Sequence, residues 1–486
     1  MGSREKMAEY SAKRASQDAG RPADDVCRGR VRQLLDPDSF VELDSFVAAR
    51  GLKFGPARPS VAGDGAVTGY GTIDGRQVFV AAQDPAVYGG SIGQMHAEKI
   101  GKAIQLAAEA QVPFIGLYDT GGARIEEGIV GLEGLGNLLA VLDSASGVIP
   151  LLAAVFGPCA GGAAFVAANS DFILMSEKGS GLFMNGPMVV SGIENRALDP
   201  ADIGGARVHA RETGLASLVA PDETALIAQI RSLLAYLPDS GEGFIYTGQS
   251  DDDPNRTSDR LDVIASNLDN GYDMREVIRE VFDENSFLEL TADYAVGLIT
   301  GLARLNGQTV GVLANAAPRL DSAMAGKAVR LIGLCDRFTL PLISLVDAEG
   351  YAIGLAQEKG GLIQAGAGLM QATLRLQTAR IGVIVGKATG TAYLSLAGKN
   401  CGTDMLYAWP TAEIAVVNAD TAAHIIYRRD IAAAADPAAA RQDFVRRYAD
   451  EIASPYVAAS LGHVDEVIRP AATRPRLISA LEMLTS

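Results

Sequence analysis

The sequence is poor in the residues that most enzymes use for acid, base and metal chemistry. Its 486 residues include only four histidines, four cysteines and one tryptophan. The cysteines show no Cys-x-x-Cys or other metal-ligand spacing, so we predict reduced, buried thiols and no metal site. No Gly-x-Ser-x-Gly, His-Glu-x-x-His or P-loop motif is present, and a structural hydrogen-bonding role is favoured for each histidine.

Long apolar runs and excess positive charge are also missing. No apolar stretch reaches the ~18 residues that a membrane-spanning helix needs. The first 35 residues are polar and charged, without the apolar core of a secretory signal. A formal net charge of −16 argues against a nucleic-acid partner. We therefore predict a cytoplasmic protein that binds neither a membrane nor a nucleic acid.

The chain does contain a long internal repeat. PFIGLYDTGGARIEEG begins at Pro113, and PLISLVDAEGYAIGLAQE begins at Pro341, 228 residues later. Ordered motifs at a nearly fixed offset indicate a tandem of two homologous domains, because the period is far too long for a solenoid. We place these domains at residues 1–245 and 246–486, with a linker rich in Gly, Ser, Asp and Pro at 238–260.

The hydrophobic pattern alternates between strands and helices, which is typical of an α/β fold with sheets covered by helices. The predicted elements of the first half are a helical segment at 5–35, a hairpin at 65–90, a helix at 93–111 and strands at 113–118 and 149–157. An alanine-rich helical tail is predicted from about residue 430.

Two loops of small residues are the main candidates for chemistry. LLAAVFGPCAGGAA (151–164) and RIGVIVGKATGTAY (380–393) are each an apolar run followed by a tight turn. The first turn carries Gly161-Gly162, and the second carries Gly390-Thr391. Small residues let backbone N–H groups face a ligand, so both turns are predicted to stabilise an oxyanion without a titrating side chain. Such an enzyme would form an enolate beside a carbonyl group.

Two neighbouring features allow more than one interpretation. Arg124 follows the Gly121-Gly122 pair, and either a ligand contact or a salt-bridged turn explains it. Cys159 lies in the first Gly-rich loop, but a nucleophilic thiol needs a base partner that the sequence does not show.

Long motifs in both halves resemble one known family. In the first half they are GDGAVTGYGTIDGR (63–76), QDPAVYGGSIGQMHAEKI (83–100), DTGGARIEEG (119–128), GPCAGGAA (157–164) and IGGARVHARETGLA (203–216). In the second half they are YDMREVI (272–278), LVDAEGYAIGLAQEKGG (345–361), AWPTAEIAV (408–416) and NADTAAHIIYRRDI (418–431). These motifs look like the β subunits of biotin-dependent acyl-CoA carboxylases, of the propionyl-CoA carboxylase type, and like the related α subunits of methylmalonyl-CoA decarboxylase.

The resemblance implies a fold, an assembly and a set of site residues. It implies two crotonase-like domains of the ClpP/crotonase superfamily in a homo-hexamer, a trimer of dimers, with active sites between the first half of one subunit and the second half of another. The first half would polarise the thioester carbonyl of an acyl-CoA at Gly161 and Gly162. The substrate-binding residues would be Gly121, Gly122, Ala123, Arg124, Cys159, Ala160 and Leu394, the last at a position that influences acyl-chain choice. In the second half, Gly390, Thr391 and Ala392 would stabilise the ureido oxygen of carboxybiotin.

The same resemblance implies that biotin, rather than a protein side chain, takes the α-proton of the acyl-CoA. The chain has no Ala-Met-Lys-Met motif for biotinylation and no ATP-grasp region. A biotin carrier and a biotin carboxylase would therefore be separate chains.

The second half departs from the family pattern at three places. It has KATGTAY (387–393) for the usual KAYGGAY, VDAEGY (346–351) for VDVPGF, and QAGAG (364–368) for RHGAK. At Thr391 the branched side chain is expected to resist a positive φ.

The sequence therefore predicts a carboxyltransferase that moves a carboxyl group to or from the α-carbon of a short acyl-CoA, propionyl/methylmalonyl-CoA or acetyl/malonyl-CoA, through an enolate. One alternative is a biotin-independent decarboxylase or transcarboxylase that uses a malonyl-type thioester as carboxyl donor to a different acceptor. A second alternative is a non-catalytic partner subunit.

Overall fold

The computed structural model describes residues 2–19, 25–49, 61–241 and 250–485. It divides into two compact units, Met1–Gly243 and Phe244–Ser486. In the described part of each unit, helices surround one eight-stranded mixed sheet. The predicted α/β class and the internal duplication are confirmed. Part of the predicted linker, 242–249, lies outside the described residues.

The first unit orders its strands β1-β2-β3-β4-β5-β6-β8, and β7 pairs with β5. The strands are β1 (Val41–Leu43), β2 (Ala66–Ile73), β3 (Arg76–Gln83), β4 (Phe114–Thr120), β5 (Leu151–Ala160), β6 (Phe172–Ser176), β7 (Gly181–Phe183) and β8 (Leu218–Ala220). The helices are α1 (Ser3–Ala19), α2 (Val26–Leu34), α3 (Gln94–Ala110), α4 (Ile129–Ala145), α5 (Gly162–Ala168), α6 (Pro187–Glu194), α7 (Pro200–Gly204), α8 (Ala206–Arg211) and α9 (Glu223–Leu234).

The second unit repeats this plan in the order β18-β16-β15-β13-β11-β10-β9, with β17 on β15 and a small sheet of β12 and β14. Its strands are β9 (Leu288–Leu290), β10 (Leu298–Leu305), β11 (Gln308–Asn315), β12 (Arg319–Leu320), β13 (Leu342–Ala348), β14 (Gly350–Tyr351), β15 (Arg380–Thr389), β16 (Met405–Ala408), β17 (Glu413–Ala415) and β18 (Glu466–Val467). Its helices are α10 (Asp259–Ala265), α11 (Met274–Val281), α12 (Ser322–Arg337), α13 (Leu355–Lys359), α14 (Leu362–Arg375), α15 (Gly390–Ala397), α16 (Ala419–Ile426), α17 (Arg428–Ala433), α18 (Pro437–Glu451), α19 (Pro455–Ser460) and α20 (Thr473–Thr485).

Each sheet contains a tight antiparallel hairpin next to its edge strand. Asp74 and Gly75, with φ of 51° and 80°, connect β2 to β3. Asn306 and Gly307, with φ of 52° and 79°, connect β10 to β11. Two consecutive positive φ values match the right-handed twist of the flanking strands and favour Asn-Gly or Asp-Gly. The hairpin predicted at 65–90 is therefore confirmed.

Parallel strands form the centre of each sheet. All seven residues of β4 are buried, and β4 pairs in parallel with β3 and β5. Continuous burial is expected of a parallel strand that has helices on both faces. In the first unit, Ile104 of α3 and Leu138 of α4 pack into the core on one face of this sheet.

Most predicted elements are confirmed, and two need correction. The helix at 93–111 and the strands at 113–118 and 149–157 are found as α3, β4 and β5. The segment 5–35 is not one helix, because Asp25 lies outside helical geometry and caps α2 through its side chain. The tail after residue 430 is not wholly helical either, because β18 adds a strand to the second sheet.

No helix in the described ranges is both long and apolar enough to span a membrane. Within the same ranges no cluster of three or more His, Cys, Asp or Glu side chains could hold a metal ion. The cytoplasmic location stays a prediction.

Candidate active site

The turn after β5, residues 160–163, is called the Gly161 turn. Gly161 has a φ of 62°, a left-handed conformation that favours glycine. Its N–H donates to the carbonyl of Phe183 on β7 (2.8 Å). The chain then enters α5, where Gly162 and Ala163 are the first two residues. Their N–H groups have no acceptor inside the helix, and they lie at its positive end.

The roles of Gly161 and Gly162 therefore differ. Gly161 was predicted to donate its N–H to the thioester, but that N–H is already bonded to Phe183. Its contribution is the positive φ that turns the chain. Gly162 has no positive φ, but a Cβ on it would lie 2.6 Å from Cδ2 of Leu135 on α4. Close packing of α4 against α5 thus excludes a side chain at Gly162, and the N–H at that position is left uncovered.

The segment 121–124 lies against the Gly161 turn. Gly122 has a φ of 98°, and a Cβ on it would lie 2.8 Å from the carbonyl oxygen of Ala160. The N–H groups on either side of Ala123 are bonded within the protein: Gly122 donates to Thr120 Oγ1 (3.1 Å) and Arg124 donates to a backbone carbonyl. The N–H of Ala123 has no acceptor among the described residues. The segment 121–124 and the Gly161 turn thus meet within the first unit, and among the described residues nothing accepts from the N–H of Ala123.

The side chain of Arg124 is buried and bonded within the protein. Its Nη1 donates to Asp64 Oδ1 (2.7 Å) and Glu127 Oε1 (2.8 Å), and its Nη2 donates to the carbonyl of Ser91 (2.9 Å). Its guanidinium also lies 4.8 Å from the ring centroid of Tyr88. Of the two interpretations of Arg124, the structure favours the salt-bridged turn, because these bonds hold the side chain within the protein.

Sequence reasoning missed Asp64, the buried partner of Arg124. Gly63, Asp64 and Gly65 all have positive φ, and this turn places the Asp64 carboxylate beneath the segment. Burial raises the pKa of Asp64, and Arg124 opposes that shift. His96 lies beside it, donating its backbone N–H to Asp64 Oδ2 (3.0 Å), and burial lowers the pKa of the His96 imidazole to about 3. A neutral, structural His96 agrees with the sequence interpretation. The Gly-Asp-Gly tripeptide was the available signal.

The thiol of Cys159 is fully buried. Burial, with a smaller contribution from Asp119, raises its pKa to about 12, so the group is not a thiolate at neutral pH. Cys159 and Ala160 therefore offer a ligand only their backbone.

The corresponding turn in the second unit, residues 389–392, is called the Gly390 turn. Gly390 has a φ of 63° and begins α15, in the same way that Gly161 precedes α5. The N–H groups of Gly390, Thr391 and Ala392 have no acceptor inside the helix. Thr391 has no positive φ, so the expected backbone strain is absent. The left-handed position is Gly390, which the chain keeps as glycine.

A cavity of about 460 Å³, called the Gly390 cavity, opens beside this turn. Gly390, Thr391 and Leu394 form one wall. The other lining residues are mostly aliphatic: Tyr393, Lys399, Asn400, Ile414, Ala415, Val416, Ile452, Val457, Ala458, Leu461 and His463. The cavity suits an apolar group that places one polar atom at the start of α15.

Comparisons with known proteins agree with this arrangement. The family model described as "Carboxyl transferase domain" matches residues 20–486. The methylmalonyl-CoA decarboxylase subunit alpha of Veillonella parvula is 41% identical over 466 residues, which cover 95% of this chain and 90% of that protein. The propionyl-CoA carboxylase beta chain of Cereibacter sphaeroides is 41% identical over 464 residues, which cover 94% of this chain and 90% of that protein.

A solved structure is similar over almost the whole chain. The transcarboxylase 12S crystal structure, a hexamer with methylmalonyl-CoA and methylmalonic acid bound, has a TM-score of 0.94 at 37% identity and covers 99% of this chain and 95% of its own. The predicted tandem of two crotonase-like domains is confirmed by this match. On its sequence, its fold and its paired turns, the chain belongs to the carboxyl transferase domain family.

Proposed function

We propose that this chain is the carboxyltransferase subunit of an acyl-CoA carboxylase-type enzyme. It moves a carboxyl group to or from the α-carbon of a short acyl-CoA, propionyl/methylmalonyl-CoA or acetyl/malonyl-CoA. The observation that carries the proposal is the Gly161 turn, where a packed helix start leaves the N–H of Gly162 uncovered, and the adjoining segment 121–124 holds the N–H of Ala123, which has no acceptor among the described residues. Relatives with decarboxylase and carboxylase activities towards such thioesters support the same substrate class.

In the first unit, the chain's own residues would stabilise charge. The N–H groups of Ala123 and Gly162 would bind the thioester oxygen, with Ala163 next to them. These donors are strongest where negative charge develops as the enolate forms, and they need no reorganisation because the surrounding backbone is already bonded. Arg124 would keep the 121–124 segment in place through Asp64 and Glu127.

In the second unit, the residues fit a biotin-type group. The Gly390 cavity is large enough for a fused bicyclic ring, and its walls are mostly aliphatic. The N–H groups of Thr391 and Ala392 would hold the ureido oxygen, and Leu394 would pack against the ring. Carboxybiotin, when bound, supplies the transferable carboxyl group and the base. The carrier and the biotin carboxylase would be separate chains.

A homo-hexamer is part of this proposal. In the first unit α6 has no buried residue, and Met188 and Ile193 are 89% and 83% exposed. In the second unit Ile353 and Val416 are each 81% exposed. Several exposed apolar side chains on one helix, as on α6, are typical of a protein interface, and the transcarboxylase 12S relative is a hexamer. Light scattering after gel filtration would measure the mass of the assembly, and a monomer would contradict this part.

A biotin-independent decarboxylase or transcarboxylase is the second candidate function. It is favoured by the second unit, where Thr391 carries a side chain at the position that Gly162 occupies in the first unit, and where Glu349 pairs with Lys387 of β15 (2.6 Å). A site altered in this way could receive a different carboxyl acceptor. A non-catalytic partner subunit is the third candidate.

One assay separates the three candidates. Purified protein is incubated with methylmalonyl-CoA or malonyl-CoA, with and without free biotin, and the decarboxylated thioester is measured. Turnover that biotin stimulates supports the carboxyltransferase. Turnover indifferent to biotin supports the second candidate. Binding of the thioester without turnover, in wild type and in the presence of biotin, supports the third.

A further inference from the structure

The two units hold their equivalent turns by different means. In the first unit β4 is followed by Gly121, Gly122 and Ala123, which have little or no side chain. At the same offset of 228 residues, β13 is followed by Glu349, Gly350 and Tyr351. Both long side chains of the second unit contact the strand or helix that forms the Gly390 turn.

Glu349 links three segments of the second unit. Its Oε1 accepts from Lys387 Nζ (2.6 Å), and its Oε2 accepts from Arg319 Nη2 on β12 (3.4 Å). Lys387 lies on β15, three residues before Gly390. The hydrogen bond from Lys387 holds the pKa of Glu349 below its usual value, so the carboxylate is charged at neutral pH. The segment after β13 is thus attached to the strand that leads into the turn.

Tyr351 reaches the other side of the same turn. Its hydroxyl lies 3.1 Å from Oγ of Ser395, and that Oγ donates to the carbonyl of Thr391 (3.0 Å). Because the serine hydroxyl has a single hydrogen, which Thr391 receives, Tyr351 must be the donor to Ser395. The carbonyl of Ser395 is itself fixed by Thr373 Oγ1 (3.0 Å). The result is a chain of hydrogen bonds from β14 to the first turn of α15.

The first unit cannot make this arrangement. At the positions of Lys387 and Ser395, 229 residues earlier, it has Pro158 and Val166, neither of which offers a side-chain donor. It uses Arg124 instead, and the position of Arg124 in the second unit is Ala352. The two units therefore use different side chains at these positions, and those of the second unit act on the wall of the Gly390 cavity.

We infer that Glu349 and Tyr351 are positioning residues that hold the Gly390 turn in its place on the wall of the Gly390 cavity. This inference rests on the proposed function, because it makes the two residues determinants of how the second unit receives its ligand. They act through Lys387 and through Ser395 to Thr391, and they leave the first unit's acyl-CoA site unaffected.

The test uses the full-length protein and two conservative variants, Tyr351→Phe and Glu349→Gln. Tyr407→Phe and Glu289→Gln are the matched controls, because each removes a comparable polar group of the second unit that is bonded elsewhere, to Arg476 and to Arg275. Hydrogen exchange of peptides spanning 387–395 reports on the turn. Turnover of methylmalonyl-CoA and its dissociation constant report on the two sites separately.

Each positioning variant should speed exchange in 387–395 by about tenfold, and lower turnover by about tenfold with an unchanged dissociation constant for methylmalonyl-CoA. The controls should behave as wild type in all three measurements. Faster exchange with unchanged turnover would show a purely structural bond and overturn the inference. Lower turnover with unchanged exchange would overturn it as well. If wild type shows no turnover under any condition, the proposed function fails, and exchange in the variants alone decides whether the two residues hold the turn.

Discussion

Gly157 lies so close to the carboxylate of Asp119 that Gly157 has no room for a side chain. A Cβ on Gly157 would overlap Oδ1 of Asp119. Asp119 sits where the pairing of β4 with β5 shifts register, and Gly157 lies on β5 just before the Gly161 turn. Arg30 holds the other carboxylate oxygen at 2.9 Å. The contact therefore links the end of β4 to the part of β5 that precedes the candidate oxyanion site.

The second unit repeats the contact. A Cβ on Gly386 would lie 2.5 Å from Oδ1 of Asp347, at the register shift between β13 and β15. Here Tyr272 donates its hydroxyl to Asp347 Oδ2 (3.0 Å), and the backbone N–H of Lys387 donates to Oδ1 (2.7 Å). A glycine and an aspartate thus form the base of both turns, although their further partners differ.

Replacement of Gly157 by alanine should destabilise the first unit. The added methyl group would push against a carboxylate that Arg30 holds in place, and overpacking of this kind costs about 1–3 kcal/mol. Gly136→Ala, in α4, is the matched control, because a Cβ there meets no atom within 4 Å. Alanine in a helix is expected to be neutral or stabilising by about 0.5–1 kcal/mol. Calorimetric unfolding of both variants checks the difference, and equal melting temperatures would contradict the account of the Gly157 contact.

Replacement of Gly162 by valine should lower turnover strongly and leave the assembly intact. The branched side chain would press on Leu135 and displace or cover the N–H at the start of α5. Loss of one oxyanion donor lowers kcat by about 10²–10³-fold. Steady-state turnover of methylmalonyl-CoA and the mass of the assembly are the two measurements. Normal kcat in this variant would show that the Gly162 N–H is not a donor to the substrate.

A smaller substitution separates steric pressure from a covered N–H. Alanine at Gly162 would meet Cδ2 of Leu135 at 2.6 Å, so Gly162→Ala should lose activity because α5 is displaced. The double variant Gly162→Ala/Leu135→Ala removes the obstruction and should regain a large part of that activity. If the second substitution restores no turnover, the loss of activity comes from a covered N–H at residue 162 and not from displacement of α5.

The sequence predicted those parts of the fold that depend on local chemistry. The Asp74-Gly75 turn needs two positive φ values, and the alternation around it needs no distant information. The repeat offset predicted the second unit from the first. Gly161 and Gly390 were recognisable as a pair because each follows an apolar run in a turn of small residues. The structure gives both a left-handed conformation before a helix.

The sequence did not predict contacts between distant segments. Arg124 looks like a ligand-binding residue until Asp64, 60 residues earlier, is found beneath it. The N–H of Gly161 looks free until β7 pairs with β5 and brings Phe183 to it. Thr391 looked strained because the turn was assigned to two residues, whereas the structure gives the positive φ to Gly390 alone. The first two errors concern a partner that only the folded chain supplies, and the third concerns a backbone angle.

Cys159 should be dispensable for catalysis. Its thiol is fully buried and its pKa is raised to about 12, so at pH 8 the thiolate would be only about 10⁻⁴ of the population. Cys159→Ala should therefore keep kcat within about threefold, since the site uses backbone donors. Iodoacetamide should label Cys401, which is partly exposed, before Cys159 in the native protein. Loss of turnover in the alanine variant with an unchanged melting temperature would show that the Cys159 thiol takes part in catalysis.

Burial of neutral His96 should make the first unit sensitive to acid. Its pKa is lowered to about 3 from an ordinary value of 6.5, chiefly by burial. Between these values the unfolded chain binds a proton that the folded chain does not, so stability falls as pH drops below about 6.5, by about 1.4 kcal/mol per unit. His96→Gln removes this titrating group, so the free energy of unfolding should decline less between pH 7 and pH 5. His424→Gln, an exposed control, should keep the wild-type slope; identical slopes in wild type and His96→Gln would contradict the assignment.

The last prediction concerns Thr391, which decides how the altered turn is understood. Because its backbone is not strained and its N–H is kept by any residue except proline, Thr391→Gly should leave biotin-stimulated turnover equal or higher. The loss of a helix-forming residue at the start of α15 should cost only a few tenths of a kcal/mol. Thr391→Val is the matched variant, because it removes the hydroxyl and keeps the shape of the wall of the Gly390 cavity. If both variants lose the native activity with thioester binding unchanged, the hydroxyl itself contacts the second unit's ligand. That outcome would favour a different carboxyl acceptor over biotin, since a ureido oxygen bound by backbone N–H groups has no need of a threonine hydroxyl.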